Sequence, residues 1–100
     1  MEASDLLIQC DNIVLRKIAN KFYLINIKDN YTGDICKLYE INEIGNFIWN
    51  LLDNPITLVN IVDKLFKVIV PSTDYSIVYN DVDHFINVLI DLKFIRSYSG

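Results

Sequence analysis

The sequence is poor in the residues that build catalytic and metal centres: among its 100 residues are one histidine, two cysteines, three glycines and two prolines. The glycines stand at 33, 45 and 100, so no phosphate-cradling loop can be assembled. Cys10 and Cys36 have neither CxxC spacing nor companion histidines, which argues against a zinc site or a disulfide framework. Two reduced thiols are expected, with a Cys10–Cys36 bridge as the minority alternative. His84 has Asp81 and Asp83 nearby but no nucleophile, and reads as a solvated helix residue. Asp81 and Asp83, two apart, fall on different sides of a helix and form no carboxylate pair. The expectation is a chain with no enzymatic activity, no cofactor and no metal.

Basic residues are also scarce. Nine Lys and Arg face thirteen Asp and Glu, a net charge of −4. The expected third helix carries Asp81, Asp83 and Asp91 before its first lysine, Lys93, and the second offers only Lys64 and Lys67. A helix that reads DNA must offer cations to phosphates, so nucleic acid is not an expected partner. No stretch reaches the roughly 18 uncharged apolar residues of a membrane span. The acidic start, Met-Glu-Ala-Ser-Asp, lacks the basic region of a signal peptide, so a cytoplasmic protein without membrane association is expected. Hydrophobic residues, by contrast, make up 52% of the chain. In one small domain spanning 1–100, that surplus fits either a face shared with a partner or a full core with scattered surface apolars.

The hydrophobic period changes at Asn42. Before it, Tyr39 and Ile41 alternate with Leu38 and Glu40 as in a strand; after it, Ile44, Phe47, Ile48, Leu51 and Leu52 recur at helical spacing. Asn42 is placed as an N-cap and Glu43 at the positive end of the helix dipole. Upstream, 12–18 and 21–28 alternate as strands around Ala19-Asn20, a hairpin whose core side is expected to carry Tyr23, Ile25 and Ile27. Residues 1–10 read as a partly ordered lead-in, and 29–34 as a turn leading to a third strand over about 35–41. Three helices are expected, over about 43–53, 58–68 and 76–92, separated by Asn54-Pro55, with Thr57 as the second cap, and by the break at 71–75. Trp49 reads as core and Phe47 as the more exposed aromatic. In the third helix Val78, Val82, Phe85, Leu89 and Leu92 read as the core stripe, with Tyr79, Ile86 and Ile90 as a second apolar stripe beside it. The fold class is therefore α+β, winged helix-turn-helix-like, a three-stranded antiparallel sheet followed by three helices.

Ile41-Asn42, Gly45, Ile48-Trp49 and Leu51-Leu52-Asp53 resemble the core pattern of the PqqD-like proteins, the peptide-recognition family of ribosomal-peptide maturation. Thr57, Ile61-Val62, Leu65, Tyr75, Asp81-Val82, Phe85-Ile86, Leu89 and Phe94-Ile95 continue the match, so the resemblance spans about 12–96. Asn54 and Lys93 depart from it where glycines are usual; asparagine tolerates a left-handed helix cap, lysine less so.

The resemblance implies a non-catalytic protein that binds the leader segment of a precursor peptide along the third strand and against the third helix. The complex is then presented to a modifying enzyme or leader peptidase, as in pathways such as those of lasso peptides. An edge strand supports this mode on its own terms, because its unpaired amides and carbonyls can accept an added strand. The expected peptide-binding residues are Cys36, Lys37, Leu38, Tyr39 and Glu40 on the strand, with Tyr79, Val82, Asp83, Phe85, Ile86, Leu89 and Ile90 on the helix. Lys37 either guards the edge or pairs with an acidic leader residue, and Asp81 and Asp83, near the expected rim of the groove, either attract a basic leader residue or form a solvated face. A winged-helix transcription factor and a self-associating assembly subunit are the alternatives.

Overall fold

The computed structural model describes residues 4–27, 38–68 and 74–99. The expected turn at 29–34, the start of the third strand with Cys36 and Lys37, and the break at 71–73 lie outside the described residues. Strands β2 (Ile13–Ile18) and β3 (Lys21–Asn26) form the hairpin, paired from Ile13↔Asn26 to Ile18↔Lys21. Its turn needs positive φ at both central residues, and Ala19 and Asn20 adopt 52° and 69°. Strand β4 (Leu38–Ile41) adds antiparallel to β3, giving the sheet β2-β3-β4.

The core side of this sheet is the opposite of the one expected. Leu24 is fully buried with Ile13 and Ile41, and Leu15, Phe22 and Tyr39 pack against them, whereas Ile25 is half-buried and Ile27 exposed. Asn26 made the Leu24 face look polar, but it sits at the strand end, where its Oδ1 accepts a 2.9 Å hydrogen bond from Asn12 Nδ2. One satisfied amide at the margin costs the core nothing.

A second antiparallel sheet, β5-β1-β6, runs through what the sequence suggests is a lead-in. Strand β1 (Leu6–Gln9) pairs with β5 (Ile56–Thr57) on one side and β6 (Ile95–Tyr98) on the other, and Leu7 is fully buried. Gln9 ties this sheet to the first helix: its Nε2 donates to the Trp49 carbonyl at 2.7 Å and its amide to the Leu52 carbonyl at 3.0 Å. These are carbonyls of a helix C-terminus that need outside donors.

Helices α1 (Glu43–Leu51), α2 (Leu58–Phe66) and α3 (Tyr75–Asp91) complete the α+β fold. Asn42 and Thr57 cap as expected, accepting from the amides of Gly45 (2.8 Å) and Asn60 (3.3 Å), and Asp74 accepts from the amide of Ser76 (3.0 Å). Each such cap contributes about 1 kcal/mol. The buried face of α1 is Gly45, Ile48 and Trp49 with Leu52 just beyond, so Trp49 is a core residue; Ile44, expected on that face, is exposed.

In α3 the buried stripe is Val78, Val82, Ile86 and Leu89. Ile86 takes the place expected for Phe85, which is half-buried, and Leu92 is exposed. The ring of Phe85 instead leans toward α1, where Gly45 leaves room: a methyl there would lie 3.4 Å from Phe85 Cζ and 2.9 Å from Ile41 Cβ.

Lys93 terminates α3 in the left-handed region, with φ of 63°. Its amide donates to the Ile90 carbonyl and that of Phe94 to the Leu89 carbonyl, both at 2.9 Å. This is a Schellman motif, with Phe94 buried as its apolar partner, built on a lysine where glycine is the comfortable residue.

Candidate functional site

The register of the hairpin decides which backbone groups of β4 are free. Ile18 and Lys21 close a two-residue turn and so face one another as a hydrogen-bonded pair. The same alternation returns at the far end, where the Ile27 amide donates to the Asn12 carbonyl at 2.9 Å. Lys21, Tyr23 and Ile25 therefore point their amides and carbonyls at β2, while Phe22 and Leu24 point theirs at β4. Across the next pairing, Tyr39 and Ile41 bond to β3, and Leu38 and Glu40 turn their amides and carbonyls outward. Among the described residues β4 has no strand partner on that side.

Two contacts link the neighbourhoods of α3 and β4, one just beyond the helix and one just beyond the strand. Phe94, held by the Schellman turn, meets Tyr39 edge-to-face at 6.0 Å between ring centres, and Phe85 leans on Gly45 just past the strand end. A helix advances 100° per residue, so Asp81, Phe85, Val88 and Leu92 share the flank of α3 on the β4 side. Tyr79, Asp83 and Ile90 lie on the other flank, toward Tyr75, which donates to Asp63 of α2 at 2.8 Å and stacks edge-to-face on Phe66.

Below this junction is a cavity of about 350 Å³, lined by Asn42, Ile44, Gly45 and Ile48 of the β4–α1 segment, Leu65 of α2, and Val78, Asp81, Val82 and Phe85 of α3. Its walls are mainly apolar, and Asp81 is the only charged residue among the described lining residues. Glu40, on the edge strand itself, is paired with Lys21 at 3.7 Å, a solvent-exposed pair of little energetic weight, and Glu43 stands exposed in the first turn of α1.

The structure thus brings together only part of the expected site. Leu38, Tyr39 and Glu40 lie on the edge strand, and Val82 and Phe85 line the adjoining cavity. Ile86 and Leu89 are fully buried in the core and are offered to no partner. Tyr79, Asp83 and Ile90 are correctly placed on α3 but on the flank away from β4; the Asp83 carbonyl is occupied by Asn87 Nδ2 at 2.9 Å. Ile44 and Gly45 are cavity residues outside the expected set, and Asp81 lines the cavity with them. The signal the sequence holds for them is a glycine beside an isoleucine in the first turn of one helix. Among the described residues no group of three or more His, Cys, Asp or Glu is arranged to hold a metal, and no helix is long and apolar enough to cross a membrane.

Comparison with known proteins bears on the same segment. The sequence model of the family described as coenzyme PQQ synthesis protein D (PqqD) matches residues 34–95, from the approach to β4 to the first residue of β6. No curated protein matches the chain. A solved structure described as "TbiB1 in Complex with the TbiA(beta) Leader Peptide" is similar in fold, with a TM-score of 0.70 and 22% identity over 93% of this chain and 99% of that one.

Proposed function

This chain belongs to the PqqD family, and on that premise we propose that it is a recognition protein for the leader segment of a ribosomally made precursor peptide. The leader adds as a further strand to the outer edge of β4, hydrogen-bonding to the amides and carbonyls of Leu38 and Glu40. Main-chain bonds give it affinity that tolerates sequence change, and side chains on the α3 flank around Phe85 give it selectivity. The observation that carries this reading is the edge of β4, unpaired among the described residues and beside an apolar cavity, in a fold shared with a protein solved in complex with a leader peptide. The whole chain, 1–100, acts as one recognition domain in the cytoplasm. It has no chemistry of its own and delivers the bound precursor to a modifying enzyme or leader peptidase.

Fluorescence polarisation tests this with labelled leader halves of the short peptides encoded beside the gene, their core halves serving as controls. Micromolar or tighter binding to a leader alone is expected. Binding that persists unchanged in a folded Leu38→Pro variant contradicts the docking mode. Proline at 38 removes an outward amide without touching the ladder to β3, so the fold should survive. Binding to duplex DNA with a steep loss on adding salt would instead favour a winged-helix reader.

A further inference from the structure

We propose that Asp81 is a specificity-determining residue, selecting peptides that carry a lysine or arginine beside a large apolar anchor; this rests on the reading of β4 as the peptide-adding edge. Asn42, the residue directly after β4, lines the cavity, so a strand paired with Leu38 and Glu40 runs toward it. At about 350 Å³ it is at the small end for a ligand site and suits a bulky side chain better than a cofactor. Ile44, Phe85 and Val82 supply apolar walls, and Gly45 lets the Phe85 ring and Ile41 pack closely against α1 where the strand ends. An aromatic or large aliphatic residue is the matching occupant.

Asp81 stands on this apolar wall with no ion pair or side-chain hydrogen bond to the described residues. A carboxylate in open water needs neither, but filling the cavity takes water from one side of it. A neighbouring cation on the peptide then compensates for the lost hydration, and a neighbouring anion worsens it, so the site discriminates by repulsion as well as attraction. The net charge of −4 works in the same direction at long range.

A displayed library of random linear peptides, panned on this 100-residue chain, tests the assignment. Enriched peptides are expected to place Lys or Arg next to a large apolar residue, and exchanging that cation for Glu should weaken binding roughly fivefold, the scale of an exposed ion pair. On Asp81→Lys, which alters an exposed helix position, the cationic and anionic peptides should exchange rank. Peptides that lose binding to Leu38→Pro yet rank alike on the native protein and on Asp81→Lys overturn the role of Asp81 and leave strand addition intact. Peptides indifferent to Leu38→Pro, or no enrichment at all, overturn strand addition and this inference with it.

Discussion

Replacing Lys93 with glycine should stabilise the protein. An L-residue in the left-handed region costs roughly 1–2 kcal/mol, and Lys93 sits there with φ of 63° because the Schellman turn requires it. Glycine relieves that strain but adds about 0.5–1 kcal/mol of unfolded-state entropy, and removing a cation near a helix C-terminus forfeits a few tenths more. The expected net gain is about 0.5 kcal/mol, or roughly 2–4 °C in melting temperature for a chain of this size. Urea and thermal unfolding followed by circular dichroism measure it, and the urea slope should stay unchanged. Lys93→Asn should lie between the two, and Lys93→Val should fall below the native protein, since a β-branched residue tolerates positive φ worst. A Lys93→Gly variant that melts at or below the native protein refutes the reasoning. The point reaches the candidate site because this turn seats Phe94 against Tyr39.

Three further outcomes follow from the same structure. Gly45→Ala should destabilise by about 1–2 kcal/mol in urea despite the better helix propensity of alanine, because the new methyl would meet Ile41 Cβ at 2.9 Å and cannot push it aside cheaply; a more stable variant contradicts that crowding. Changing Ala19 to Asn together with Asn20 to Gly should raise stability by about 1 kcal/mol, since both positions hold positive φ; unchanged melting would mean that the turn carries no strain. Tyr75 has its phenol pKa raised, first by its hydrogen bond to Asp63 and then by desolvation and that carboxylate's charge, so its contribution is complete below about pH 10 and is lost as pH climbs through the raised value. Alkaline absorbance titration should therefore show that Tyr75→Phe deletes a late-ionising tyrosine, and deletion of an early one contradicts the assignment.

The elements most legible in the sequence were those whose signals are local. The change of period at Asn42, the caps at Asn42 and Thr57 and the Ala19-Asn20 turn need only a few adjacent residues, and all are present. Strands β1, β5 and β6 were not legible, because two to four residues carry no measurable period and their partners lie far along the chain. The choice of core face in β3 failed on a single polar residue, Asn26, which a hydrogen bond at the strand end accommodates. On α3 the spacing identified an apolar surface but not its centre. Phe85 and Ile86 are adjacent, and what assigns one to the cavity and the other to the core is the missing side chain at Gly45 on another helix. That is tertiary information, as is which flank of α3 lies toward β4, that of Phe85 or that of Tyr79, Asp83 and Ile90.

The central claim is that a leader peptide pairs with the outward backbone of β4, and residue-resolved amide hydrogen exchange tests it most directly. In the free protein, the amides of Tyr39 and Ile41 should exchange slowly and those of Leu38 and Glu40 quickly, following the register of the sheet. Saturating leader peptide should slow Leu38 and Glu40 while leaving Tyr39 and Ile41 nearly as they were. Unchanged exchange at Leu38 and Glu40 in a complex that protects other surfaces would contradict strand addition at this edge.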